Sequence, residues 1–129
     1  MTSRSEQKLE TNSAEIFFPS EGYIRVNIKP SVKQNLRDAE ENMNATCRES
    51  KTPLLLDLRG AQPVDPEVRR FYSGQVLVDH FSSLAILIDL SPVTRMMANV
   101  YVKVTRPPIP TKIFTDEKSA IDWTKSFLK

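Results

Sequence analysis

The residues richest in chemistry lie in one stretch, LLLDLRGAQPVDPEVRRFY, from Leu54 to Tyr72, which holds two aspartates, three arginines and a phenol. Carboxylates and guanidiniums in such a cluster can transfer protons, bind a partner, or tie two segments together as ion pairs. Each of two apolar runs ends in an aspartate and leads into a proline-opened helix: Asp57 before Asp65-Pro66, and Asp89 before Ser91-Pro92. Proline at the first helical position is preset for the helix and lacks only an N–H that would be unpaired there anyway. Asp65 and Ser91 are natural caps for those helices. The same residues also have a functional reading. Ligands of open parallel sheets sit beyond the carboxyl ends of the strands, where Asp57, Arg59, Asp65, Asp89 and Arg95 would gather. Arg95 and Asn99 are four residues apart and share a helix face. An arginine paired with Asp57 or Asp89 would hold two loops together, a structural use that outweighs catalysis. Acid–base work by Asp57, Asp65, Asp89 and Arg95 is supported by nothing in their spacing, so the chain is expected not to be an enzyme.

Other chemistries are disfavoured. Phosphate favours a helix N-terminus, but Asp65 and Glu67 occupy one of these, and Gly22, Gly60 and Gly74, the three glycines present, cannot assemble a phosphate loop. His80 is the single histidine and Cys47 the single cysteine, so no metal-ligand spacing and no Ser/His/Asp set is seen. No cofactor is expected. The net charge of +2 gives no long-range pull toward nucleic acid or membrane. One cysteine permits no internal disulfide and fits a reducing, cytoplasmic setting. The opening residues MTSRSEQKLETNS lack the apolar core of a signal peptide, and no apolar run is long enough to span a membrane.

The elements that must position these residues follow from periodicity. At 129 residues, 40% of them hydrophobic and 26% charged, the chain has the composition of one ordinary globular domain. Residues 1–13 read as a flexible lead-in and residues 14–129 as a single domain. AEIFFP and the alternating YIRVNI form a hairpin of strands. A helix starts near Ser31, with Val32, Leu36, Ala39, Met43 and Cys47 as its buried stripe. PLLLDL is a strand buried on both faces. A helix opens at DPEV, and SLAILIDL is a second buried strand. A third helix spans Ser91–Val104, with Val93, Met96, Met97, Val100 and Val104 facing in. TKIF is a last short strand. A closing helix is capped by Thr115 and turns Ala120, Trp123 and Phe127 inward. The alternation predicts an α/β fold: a single, mostly parallel sheet of about five strands with an antiparallel edge strand, and four helices mainly on one face.

The segment LLLDLRGAQPVDPEV resembles the LDLSGVxFxDSSG segment of STAS domains, the anti-sigma factor antagonists of the SpoIIAA-like fold. Asp57-Leu58, Gly60 and Asp65 fall in register, and the element order matches over about residues 14–128. The pattern is most similar to bacterial STAS/SEC14-like proteins, whose tail resembles Pro108–Trp123. The resemblance implies a SpoIIAA-like fold and a non-catalytic regulatory role. One departure is central: where the antagonists carry a phosphorylated serine, this chain has Pro66, followed by Glu67. The implied module therefore lacks that phospho-acceptor.

The leading expectation is a protein-interaction module whose partner is another protein or a second copy of the chain. It would use the strand-end edge (Asp57, Arg59, Asp65, Glu67, Asp89, Ser91, Arg95, Asn99) and the polar face of the second helix, with Arg69, Arg70, Ser73 and Gly74. The alternative is a carrier of a small apolar or lipid-like ligand, suggested by Phe71, Tyr72, Met96, Met97 and Tyr101 near the strand ends. The aromatic strand EIFF is expected at an edge, to be covered by the last helix or by a second chain.

Overall fold

The computed structural model describes residues 7–30, 32–46, 50–72 and 74–128, leaving aside the side chains of Val76, Val104 and Thr105. Ser31, Cys47 and Ser73, expected at a helix start, in a core stripe and on a polar face, lie outside the described residues. Three antiparallel strands, β1 (Gln7–Glu10), β2 (Ala14–Phe18) and β3 (Ile24–Ile28), continue into three parallel ones, β4 (Thr52–Asp57), β5 (Phe81–Leu87) and β6 (Thr111–Phe114). Spatial order equals chain order. Each parallel connection therefore steps the same way across the sheet, and right-handed crossovers put every connecting helix on one face. These are α1 (Leu36–Ala45), α2 (Pro66–Phe71), α3 (Gln75–His80) and α4 (Pro92–Val100). The last helix, α5 (Glu117–Lys125), follows the final strand, so the crossover rule does not bind it, and it packs on the opposite face against β4, β5 and β6.

Two cores result. Strand alternation sends Ile24, Val26, Ile28, Leu54, Leu84 and Ile86 into the larger one, under α1–α4. Tyr23, Leu55, Ala85 and Leu87 meet Ala120 and Trp123 in the smaller one, under α5. The resulting mixed α/β architecture is the expected one, with a sixth strand and a fifth helix added.

The differences have local causes. β1 lies inside the segment expected to be a flexible lead-in. Its four residues are all exposed, so it buries no side-chain stripe and is a strand only because it pairs with β2 from Gln7↔Phe18 to Glu10↔Glu15. It is therefore β1, and neither α5 nor a second chain, that covers the edge of the aromatic strand β2, and its own edge carries Lys8 and Glu10. The first helix begins at Asn35, where a reciprocal cap is available: Asn35 Oδ1 accepts from the Asp38 N–H at 2.8 Å, and the Asp38 carboxylate from the Asn35 N–H at 3.1 Å. The helix opened by Pro66 breaks after Phe71 and restarts at Gln75. α4 presents Thr94 and Ala98 to the core, while Val93 and Met96, expected inside, are 41% and 57% exposed. It ends in a wider turn at Tyr101–Thr105, closed by the Arg106 N–H on the Tyr101 carbonyl at 3.1 Å. At α5 the cap is Asp116, which accepts from the Ser119 N–H at 2.8 Å, rather than Thr115.

Candidate functional site

The alternation that places Leu54 and Leu56 under α1–α4 sends Asp57 to the opposite face. There it meets Arg25 from β3, Arg59 from the following turn and Glu117 from the first turn of α5. Arg25 donates to Asp57 Oδ2 at 2.9 Å, to Glu117 Oε2 at 2.8 Å and to Asn27 Oδ1 at 2.9 Å. Arg59 grips the same carboxylate through Nε at 3.0 Å, Nη2 at 2.7 Å and its backbone N–H at 3.0 Å, and reaches Glu117 at 3.2 Å. Burial pushes the Asp57 carboxyl up, but the Arg59 and Arg25 hydrogen bonds together outweigh it and hold the group below the ordinary aspartate value. The hydrogen bond from Arg25 lowers Glu117 in the same way. Two cations and two anions close on one another, so the cluster fastens α5 to the sheet and leaves no unmatched charge for a ligand.

Asp89 has a comparable structural use. It accepts from the Thr94 hydroxyl, from the Ser91 N–H at 2.9 Å and from the Gly60 N–H at 2.9 Å, which ties the β4–α2 loop to the start of α4. These hydrogen bonds, Thr94's first, hold its carboxyl below the usual range. Ser91 caps α4 by accepting from the Val93 N–H at 3.2 Å. Asp65 makes no side-chain cap and instead pairs with Lys33 at 3.3 Å. Glu67, Arg70 and Arg95 are exposed and Asn99 half-buried. The edge anticipated from the sequence is thus split: Asp57 and Arg59 lie on the α5 side, and Asp89 and Ser91 at the root of α4. Arg69 belongs to neither group.

Arg69 lines a cavity of about 210 Å3 between the sheet and helices α1–α4. Its floor is Val26, Leu54, Leu84 and Ile86, and its sides include Met43, Leu77, Phe81 and Tyr101. Gln62, Pro63 and Met96 line the same cavity and are exposed, so its opening lies between the β4–α2 loop and α4. That places the mouth beyond the carboxyl end of β4, where open α/β sheets keep their ligands. Short helices and small side chains account for the space. α2 and α3 have six residues each, and Ala61 contributes only a methyl to the wall.

One wall is polar. Gln34, Asn42, Thr46 and Tyr72 line the cavity and belong to a network reaching back to the β1–β2 turn. Asn42 accepts from the Thr11 hydroxyl and donates to Ser13 Oγ at 2.8 Å and Gln34 Oε1 at 3.2 Å. The Tyr72 hydroxyl donates to Gln34 Oε1 at 2.7 Å. Burial raises the Tyr72 phenol to about 12, so it stays neutral and donating at every physiological pH. Tyr101 donates in turn to the Tyr72 carbonyl at 2.9 Å, which links α4 to the end of α2. The sequence pointed to Phe71, Tyr72, Met96, Met97 and Tyr101 as soft side chains near the strand ends; the last four line this space and Phe71 does not. It did not single out Arg25, Glu117, Gln34 or Asn42. The alternation of YIRVNI, with Arg25 opposite the apolar positions, is the signal that points to Arg25.

Among the described residues no group of three or more His, Cys, Asp or Glu side chains is arranged to hold a metal ion, and no helix is long and apolar enough to cross a membrane.

Comparison with known proteins agrees with the architecture. The family model for the domain of unknown function DUF7793 matches residues 17–128. No curated protein matches the chain. A solved structure, that of an uncharacterised protein from the DUF3478 family with a SpoIIAA-like fold from Shewanella loihica PV-4, is similar over 92% of this chain and 91% of its own, with a TM-score of 0.55 and 16% identity. The shared fold is SpoIIAA-like, as the resemblance to STAS domains implied.

Proposed function

We propose that this chain, which belongs to the DUF7793 family, is a non-catalytic, cytoplasmic binding module whose cavity carries or senses a small apolar molecule. The observation that carries the reading is the space itself. Protein interiors are close-packed, and a void of about 210 Å3 lined by Val26, Leu54, Leu77, Phe81 and Leu84 exceeds the ~150 Å3 apolar cavity that takes up benzene. Filling such a void with apolar atoms restores the dispersion contacts its lining lacks. The non-catalytic part is supported by the state of the carboxylates: Asp57, Glu117 and Asp89 are all held toward the ionised form by their donors, the reverse of what a general acid needs.

The test is thermal unfolding with and without benzene, indole and 1-octanol. A ligand that binds only the folded state raises the midpoint by linkage. At least one compound is expected to raise it, and to lose that effect in Leu84→Phe, whose larger ring takes up the space. A folded protein whose midpoint none of the three moves would overturn the reading.

A second reading, that the domain docks on a protein partner or a second copy of itself, is favoured by Leu90, Val93 and Met96. They are 76%, 41% and 57% exposed at the start of α4, close to the cavity mouth. Sedimentation of the wild type against Val93→Asp tests it. A partner-free, concentration-independent monomer in both would remove self-association.

A further inference from the structure

We infer that the cavity selects an apolar molecule bearing a carboxylate, held by Arg69 at the mouth with its apolar part against the sheet. The inference rests on the carrier reading above and adds the chemistry of the head group.

Three observations converge. Among the described residues the other half-buried arginine, Arg25, is matched by Asp57 and Glu117, and even the exposed Arg59 is engaged by the same two carboxylates. Arg69 lines the cavity, is half-buried, and has no carboxylate partner among the described residues. A partly desolvated guanidinium beside an apolar void is a costly arrangement unless an anion completes it. The planar fork of arginine matches a carboxylate through two parallel N–H bonds, a geometry that lysine cannot supply.

The nearby acids do not compete. Asp65 is engaged by Lys33 at 3.3 Å. Glu67 lies two residues before Arg69 on α2, and residues at that spacing do not face each other.

Gln34 supplies the third observation. It is 6% exposed and lines the cavity. Its Oε1 accepts from Asn42 and Tyr72, while its Nε2 has no hydrogen-bond partner among the described residues. That leaves Nε2 free to donate to a guest in the cavity that Gln34 lines, and a second carboxylate oxygen or an adjoining hydroxyl would accept from it. Tyr72, three residues beyond Arg69 on the same side of α2, donates to Gln34, so the two donors that await an acceptor belong to one wall.

The size of the void sets the rest of the molecule. A cavity somewhat larger than one that takes a benzene accommodates a chain of about six to eight carbons or a single substituted ring. A full-length fatty acyl chain would have to leave through the mouth past Met96.

The experiment is titration calorimetry of the full chain with octanoate, 1-octanol and octylamine at low ionic strength, repeated on Arg69→Met. The wild type is expected to bind octanoate about tenfold or more tightly than 1-octanol, and octylamine most weakly. Arg69→Met is expected to retain 1-octanol affinity and lose the octanoate preference. Its retained 1-octanol binding also shows that the variant is folded. Equal binding of octanoate and 1-octanol by the wild type would overturn the carboxylate assignment and leave the carrier reading standing. Failure of all three to bind would overturn both. A preference for octanoate that survives unchanged in Arg69→Met would overturn the role of Arg69.

Discussion

Replacing Arg25 by methionine tests whether the four-residue ion cluster, rather than apolar contact alone, fastens α5 to the sheet. Methionine keeps the length and the contact with the strand while deleting the charge and three hydrogen bonds, to Asp57, Glu117 and Asn27. Removing one partner of a buried ion pair costs about 3–5 kcal/mol when the other is stranded. Asp57 is not stranded, because Arg59 still holds both its oxygens and its backbone N–H points at the same carboxylate. Glu117 is 44% exposed in its side chain, so its share of the loss is below about 1 kcal/mol. The remaining charged hydrogen bond, between side chains 15% and 8% exposed, brings the expected loss to about 2 kcal/mol, or roughly 6–10 °C in the unfolding midpoint of a chain this size.

Acid supplies a second readout of the same cluster. Asp57 and Glu117 both titrate below their ordinary values in the folded chain. As pH falls the unfolded chain takes up those protons first, so the stabilisation is complete above the ordinary carboxylate range and is lost as pH drops through the folded values. Urea unfolding of wild type and Arg25→Met at pH 7 and at steps down to pH 2.5 is the assay. The difference is expected to be largest at pH 7 and to shrink in acid. A variant within about 0.5 kcal/mol of wild type at pH 7, or a gap that stays constant with pH, would refute the reasoning.

Three further outcomes follow from the same geometry. Asn42→Leu removes the hub of the buried network and leaves the Thr11 and Ser13 hydroxyls without their partner; urea unfolding is expected to show a loss of about 2–4 kcal/mol. Gly60→Ala places a Cβ 3.3 Å from Pro30 Cβ at a residue whose φ is +77°; its urea midpoint should fall by the equivalent of about 1–2 kcal/mol. Leu84→Phe adds volume against the cavity, so its stability should stay within about 1 kcal/mol of wild type or rise, where overpacking a filled core costs about 1–3 kcal/mol; a larger loss would mean the space is not there.

The parts of the fold that were legible in the sequence are those with strong local signals. PLLLDL and SLAILIDL are apolar runs that only a twice-covered strand explains, and Pro66 and Pro92 start the helices they were expected to start. β1 carried no such signal, because QKLE buries nothing and gains its conformation from pairing with β2. The inner face of α4 was misjudged because its apolar residues outnumber its small ones. Thr94 faces in with its hydroxyl on Asp89, and Ala98 lets the helix approach closely. The strand-end charges were recognised as a group, but Asp57 ends β4 on the α5 face while Asp89 lies two residues past β5 and turns to the start of α4, and the expectation of helices mainly on one side hid the partner Glu117. The cavity is a property of packing between short helices and small residues, which no periodicity announces; only its soft lining, Tyr72, Met96, Met97 and Tyr101, was visible in advance.

The most direct measurement on the central claim is a two-dimensional amide spectrum of the 15N-labelled chain, titrated with 1-octanol. If the cavity is a ligand site, the shifts saturate and concentrate on Leu54, Leu77, Leu84, Tyr72 and the loop at Ala61 and Gln62, while the amides of β1 and of α5 stay still. Shifts that do not saturate, or that centre on the exposed Leu90 and Val93 and leave the residues of the cavity unmoved, would contradict the claim.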